Sequence, residues 1–162
     1  MSLITGSPAP AFTLATAAGP AGSVSPAGSV SLTDFAGKPL ILYFYPKADT
    51  TGCTREAQEF TALAADFAAL GATVIGVSKD SVGKLQKFAA KYDLAVRLAS
   101  DPDGATIEAY GVWVEKTLYG RRYMGIERAT FLIGPDGRIA QVWRKVKVAG
   151  HAAQVLAATA AL

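Results

Sequence analysis

Tyr43-Phe44-Tyr45-Pro46-Lys47-Ala48-Asp49-Thr50-Thr51-Gly52-Cys53-Thr54-Arg55-Glu56 decides how the rest of the chain is read. With Leu40, Ile41 and Leu42 before it, the stretch forms an apolar run, rich in branched and aromatic residues, that ends at Pro46. Such a run reads as a buried strand passing into a loop. A helical pattern begins at Thr54, so Cys53 is expected at the first turn of a helix that follows a central strand. Backbone N–H groups in a first turn have no intrahelical partner, and the helix dipole adds positive potential there. A thiolate is stabilised in that position, and the thiolate is the nucleophilic form. Cys53 is the only cysteine in 162 residues. A lone cysteine also serves as a small buried hydrophobe, but the flanking Gly52, Thr54 and Arg55 are not an apolar setting.

Upstream, residues 8–14 read as an extended entry segment. Residues 15–31 are biased toward Ala, Gly, Ser and Pro, with a small duplication, Ala21-Gly22-Ser23-Val24-Ser25 and Ala27-Gly28-Ser29-Val30-Ser31. They are expected to form a flexible loop insertion. Downstream, Ala57, Phe60, Leu63, Phe67 and Leu70 make one apolar stripe at helical spacing, which Gly71 ends. Residues 72–77 read as a second buried strand. Residues 81–92 read as a helix with Val82, Leu85, Phe88 and Ala89 inward, and 96–99 as a short strand. A turn at 101–104 leads into a brief helix. Residues 112–123, with Trp113, Tyr119 and Tyr123 among cations, read as a segment running from the surface to a pocket. The segments 128–133 and 139–146 flank Pro135-Asp136-Gly137 as a β-hairpin, and 151–162 is an Ala-rich terminal helix. Strands and helices in this order predict one α/β domain spanning residues 1–162, a mixed sheet covered by helices.

The bulk properties exclude several functions. The chain is long enough to bury a core without disulfides or metal. Sixteen basic and 13 acidic residues nearly balance. No basic block or basic–aromatic interleaving points to nucleic acid. The cations of 138–147 are expected on one solvated strand face. One cysteine makes no intramolecular disulfide. Residues 1–10 lack the pattern of a signal peptide, and no apolar run is long enough to span a membrane. A soluble protein in a reducing compartment is expected. One cysteine and one histidine do not make a thiolate metal cluster. No cofactor is expected.

Pro46-x-x-x-Thr50-x-x-Cys53 resembles the active-site motif of the peroxiredoxins. The flanks Tyr43-Phe44-Tyr45-Pro46-Lys47 and Gly52-Cys53-Thr54-Arg55-Glu56-Ala57 resemble the peroxiredoxin Q subfamily, also called bacterioferritin comigratory protein. Farther along, Gly125-Ile126-Glu127-Arg128-Ala129-Thr130-Phe131-Leu132-Ile133 is similar to the strand that carries that subfamily's active-site arginine. Pro10-Ala11-Phe12-Thr13-Leu14, Val77-Ser78-Lys79-Asp80-Ser81 and the segment Val142 to His151 match as well. The resemblance covers nearly the whole chain. It implies a thioredoxin-like fold and a thiol-dependent peroxidase acting on hydrogen peroxide and alkyl hydroperoxides. It implies a cytoplasmic setting and allows a monomer or a dimer.

The resemblance implies roles for named residues. Cys53 is the nucleophile, and Thr50 hydrogen-bonds the peroxide while also suiting a helix cap. Pro46, without a backbone donor and with a fixed φ, shapes the loop wall and shields the sulfur. Arg128 is a permanent cation with a planar fork of donors, expected beside Cys53. Glu56, one helical turn after Cys53, is expected to orient Arg128. His151, the only histidine, has no catalytic place in the resemblance, although a Cys–His pair is a known way to activate a thiol. Two departures stand out. Thr51 occupies a position where the subfamily usually has proline. Gln58 and Ala89 occupy positions where many members carry a second, resolving cysteine. A one-cysteine enzyme is therefore expected, recycled from sulfenic acid by an external thiol: thioredoxin, glutaredoxin with glutathione, or another small thiol. The alternative is a redox sensor or thiol-relay module that uses Cys53 without efficient turnover. A dithiol reductase is disfavoured because no Cys-x-x-Cys is present.

Overall fold

Residues 40–45 alternate between two cores. In the computed structural model, which describes residues 3–18 and 28–162, Leu40, Leu42 and Phe44 join one apolar cluster. Ile41, Tyr43 and Tyr45 join the other. Successive strand residues point to opposite faces, so this strand is covered on both sides, as a central strand must be.

In chain order the elements are β1 (Thr13–Thr16), β2 (Gly28–Ser31), a 3-10 turn (Leu32–Phe35), β3 (Leu40–Phe44), α1 (Thr51–Ala62), α2 (Ala64–Ala69), β4 (Thr73–Ser78) and α3 (Val82–Tyr92). They continue with β5 (Arg97–Ser100), α4 (Ala105–Ala109), β6 (Trp113–Leu118), β7 (Arg121–Ile126), β8 (Ala129–Ile133), β9 (Ile139–Trp143) and α5 (His151–Ala160). Seven strands form one sheet in the order β2-β1-β5-β4-β3-β8-β9. β3, β4 and β5 run parallel, and β8 pairs antiparallel with β3, setting Ala129 opposite Phe44. Phe60, Phe67, Leu85 and Val155 bring α1, α2, α3 and α5 to one face, while Ile107 brings α4 to the other. The expected mixed sheet covered by helices is what forms. Phe60 stacks on Tyr43 with ring centroids 4.8 Å apart, which locks α1 onto β3.

Several local expectations are corrected. The expected loop over 15–31 is strand at both ends, where β1 and β2 pair as a hairpin. Leu14 and Val30 bury their side chains there, which overrides the loop-like composition. Residues 19–27 lie outside the described residues. The helix after Cys53 starts at Thr51, not Thr54, and is interrupted at Leu63, so the expected single helix to residue 70 becomes α1 and α2. Phe67 still packs on Phe60, but Leu70 is exposed. Residues 112–123, expected to run from the surface to a pocket with no element assigned, belong mostly to β6 and β7, which form a separate two-stranded sheet. The cations of 138–147 do not share one solvated face, because Arg144 binds Glu127 and the Gly111 carbonyl and is partly buried.

Candidate active site

β3 ends where its ladder runs out of donors. Tyr45 N–H donates to the Val77 carbonyl at 3.1 Å, and Pro46 has no N–H to continue. The chain then turns through residues 46–50. Asp49 takes a left-handed backbone conformation (φ 60°), and α1 begins at Thr51 with Thr50 in the N-cap position. Cys53 therefore lies in the first turn of α1, and its side chain is buried (2% exposed). Thr51 is the first helical residue. Proline is favoured at that position because its missing N–H is not needed there.

Arg128 reaches the same spot from across the sheet. It precedes β8, whose first residue pairs with the last residue of β3, so the fold delivers it beside the start of α1. One guanidinium nitrogen, Nη2, donates to Cys53 Sγ at 3.2 Å, and Nη1 donates to Glu56 Oε1 at 2.7 Å. The planar fork thus bridges a sulfur and a carboxylate three residues apart on α1. Gly52 leaves room for it: a Cβ there would stand 3.2 Å from Arg128 Nη2. Glu56 is 1% exposed and its Oε2 has no hydrogen-bond partner. Burial pushes its carboxyl up to about 7, with the charge and hydrogen bond of Arg128 pulling against it. Burial beside these groups also holds the Tyr43 hydroxyl well above its ordinary value.

The expected residues differ in how they enter this arrangement. Cys53, Arg128 and Glu56 come together directly. Thr50 is the N-cap residue by position, but its side chain does not cap the helix. Its hydroxyl donates back to the Lys47 carbonyl at 2.8 Å. Pro46 is exposed at the start of the loop. His151 is not near the sulfur's hydrogen bonds: its Nε2 pairs with Thr130 Oγ1 at 2.8 Å, between the Phe60 and Trp143 rings. Burial holds the imidazole down to about 4. Two carboxylates that the sequence did not single out grip the 46–50 loop. Asp80 accepts from Ala48 N–H, and Asp49 accepts from Lys91 and Tyr92 of α3. A cleft of about 420 Å³ opens on the outer side of the loop, lined by Asp49, Thr50, Thr51, Thr54, Arg55, Gln58 and Tyr92.

The arrangement can hold a thiolate. A sulfur at a helix N-terminus with a guanidinium donor at contact distance has its negative charge met from two sides. The same donors lie beside the sulfur, where an attacked oxygen would gather charge.

Comparison with known proteins gives the same picture. A model of the AhpC/TSA family matches residues 5–142. The chain belongs to this family. A putative peroxiredoxin bcp of Coxiella burnetii is 48% identical over 156 residues, covering 96% of this chain and 98% of that one. Peroxiredoxin Bcp of Bacillus subtilis is 48% identical over 128 residues, 79% of this chain and 82% of that one. Among solved structures, Xanthomonas campestris bacterioferritin comigratory protein, described for its alkyl peroxide reduction, superposes with TM-score 0.83 at 45% identity. It covers 93% of this chain and 90% of that one. A Xylella fastidiosa PrxQ mutant superposes with TM-score 0.89 at 39% identity, covering 99% and 98%. The expected thioredoxin-like α/β fold is thereby established, and the chain is a peroxiredoxin of the Bcp/PrxQ type, a thiol-dependent peroxidase. Among the described residues no helix is long and apolar enough to cross a membrane.

Proposed function

We propose that the chain acts as one thioredoxin-like domain and reduces hydrogen peroxide and alkyl hydroperoxides through Cys53 alone. The observation that supports this most is the 3.2 Å contact from Arg128 Nη2 to Cys53 Sγ, with Glu56 holding the other arm of the guanidinium. The Cys53 thiolate attacks the terminal oxygen of the peroxide. The S–O bond forms as the O–O bond breaks, and the leaving alkoxide or hydroxide takes a proton from solvent. Arg128 supplies donors for the charge that moves between sulfur and oxygen. Thr50 commits its proton to the Lys47 carbonyl, so its oxygen presents lone pairs and accepts from the peroxide O–H. Pro46 walls the loop.

The product is Cys53 sulfenic acid. Cys53 is the only sulfhydryl, and Gln58 and Ala89 stand at the two positions where the resemblance would set a partner cysteine, so the second half of the cycle uses an external thiol. The first thiol displaces water to give a mixed disulfide, and a second thiol releases the Cys53 thiol and an external disulfide. Thioredoxin, glutaredoxin with glutathione, or another small thiol fits this chemistry, in a cytoplasmic setting and for a monomer or a dimer.

The deciding experiment compares wild type with Cys53→Ser in a steady-state peroxide assay with a thiol reductant, alongside mass spectrometry of the peroxide-treated chain. The wild type gains one oxygen on Cys53 and turns over many times. Cys53→Ser gives no turnover. Turnover retained in the variant would remove the proposal, and a single oxidation without turnover would favour the thiol-relay alternative.

A further inference from the structure

The motif Val77-Ser78-Lys79-Asp80-Ser81 carries the carboxylate that meets Ala48 N–H. It occupies the end of β4 and the turn into α3, beside the 46–50 loop, because β3 and β4 are parallel neighbours and their following loops emerge at the same edge. Asp80 Oδ2 accepts from Ala48 N–H at 2.8 Å, 32 residues away in sequence. The same oxygen accepts from Ser78 Oγ at 2.8 Å, and Ser78 is fully buried. The Asp80 carbonyl accepts from Ser100 Oγ at 2.6 Å, and Asp101 N–H donates to the Ser78 carbonyl at 2.9 Å. The turn that carries Asp80 is thus anchored on β5 and extends one carboxylate oxygen to the loop.

Ordinary structural roles do not account for that carboxylate. Asp80 is not the cap of α3, because Ser81 fills that position and accepts from Lys84 N–H at 3.3 Å. Among the described residues no cation forms a salt bridge with Asp80, and its neighbour Lys79 lies over the Trp113 ring. What Asp80 holds is the backbone one residue before Asp49, whose left-handed conformation is uncommon for a residue with a side chain. Two residues beyond Ala48 comes Thr50, and three beyond that Cys53. A carboxylate bond to a backbone N–H is charge-assisted and stiff, so it fixes where the loop sets Thr50 relative to the sulfur.

Building on the reading of Cys53 and Thr50 as the peroxide site, we propose that Asp80 is a positioning residue. Through Ala48 N–H it holds the loop in the shape that aligns a peroxide between Thr50 and Cys53.

The test separates peroxide alignment from thiolate formation. Cys53 sulfenic acid formation with hydrogen peroxide and Cys53 alkylation by iodoacetamide are measured side by side in wild type, Asp80→Ala, Asp80→Asn and Ser78→Ala. Iodoacetamide needs the thiolate but no peroxide-binding loop. Misplacing a reacting group by about 1 Å costs on the order of 10²-fold, so Asp80→Ala is expected to lose about that factor in oxidation while alkylation stays near wild type. Asp80→Asn keeps a carbonyl oxygen for Ala48 N–H and Ser78 Oγ–H, and recovers most of the rate. Ser78→Ala, a small change that spares the fold, gives an intermediate loss in oxidation alone. Equal loss of both reactions in Ser78→Ala and Asp80→Asn would mean general disruption and would overturn the assignment. Unchanged oxidation in all three variants would overturn it as well. A wild-type chain that is alkylated readily but not oxidised would instead remove the peroxidase reading itself.

Discussion

Asp49 and Glu56 lie on either side of Cys53 in one short stretch, and their surroundings are opposite. Asp49 is exposed, with Tyr92 Oη 2.5 Å and Lys91 Nζ 3.0 Å from its carboxylate. Those two partners, Tyr92 first, hold it below the usual carboxylate range. Glu56 is buried, holds Arg128 at 2.7 Å, and is pushed by burial up to about 7. The outer carboxylate stays charged across the neutral range and fastens the loop to α3. The inner one is near its balance point at neutral pH and shares its cation with the sulfur. Two residues of one chemical type therefore divide the work: one sets backbone shape, the other sets the position and charge balance of the guanidinium.

The hardest way to break this comparison is to remove the cation that the inner carboxylate holds. Arg128→Ala strips a donor from Cys53 and leaves Glu56 buried without its partner. Removing one preorganised donor of this kind costs about 10²–10³-fold in rate, and sulfenic acid formation measured by stopped-flow fluorescence is expected to slow by that order. Arg128→Lys is expected to recover only part, because a point charge does not serve Sγ and Oε1 at once. Oxidation as fast as wild type in Arg128→Ala would mean that the guanidinium braces Glu56 and does nothing for the sulfur.

A smaller effect separates the two carboxylates by sign. Glu56 binds its proton more tightly in the folded chain, at about 7, than at its ordinary value of 4.5. Its contribution to stability is therefore fully present below about 4.5 and is lost as pH rises through about 7. Glu56→Gln, in a Cys53→Ser background that removes the sulfur beside Arg128, should remove this contribution. Unfolding free energies from urea titrations should shift in favour of pH 8 over pH 5 in the variant relative to its parent, by the order of a few kcal/mol, because the opposing contribution of His151, held down to about 4, is common to both. The same difference between pH 5 and pH 8 in variant and parent would show that Arg128 already compensates the buried charge in full.

How much of this was readable in the sequence depends on how local each cause is. The strand at 40–44, its end at Pro46 and the first helical turn at Cys53 follow from periodicity and backbone chemistry within a few residues. The approach of Arg128 does not, because it is made by antiparallel pairing of β8 with β3, 75 residues from the cysteine. Only the family resemblance placed it. The letters Val77-Ser78-Lys79-Asp80-Ser81 name no role for Asp80, because its partner is a backbone N–H that no residue letter marks. The β6–β7 hairpin was missed for a different reason. Its turn residues Tyr119 and Gly120 both have positive φ, a geometry usually announced by Asn-Gly or Asp-Gly, and a tyrosine in that place gives no such signal. The β1–β2 pair was hidden by an Ala-, Gly- and Ser-rich composition that reads as loop.

The outer carboxylate gives the smallest effect and the opposite sign. Asp49 is held low in the folded chain, so its contribution is present above the ordinary carboxylate value and is lost as pH falls through its depressed folded value. The group is exposed, so solvent and salt screen the interaction. Asp49→Asn is expected to move the acid limb of a pH–stability curve slightly, and to do so less in 0.5 M salt than in dilute buffer. It should leave the limb between pH 5 and pH 8 as it was, since that limb belongs to Glu56 and, with opposite sign, to His151. Loosening the loop from α3 should slow Cys53 oxidation by less than Asp80→Ala does, because Asp80 still grips Ala48 from the inside. If Asp49→Asn instead slowed oxidation more than Asp80→Ala, the outer clamp to Lys91 and Tyr92 would be the principal support of the loop. The division of work between the two carboxylates beside Cys53 would then place the greater catalytic burden on the exposed one.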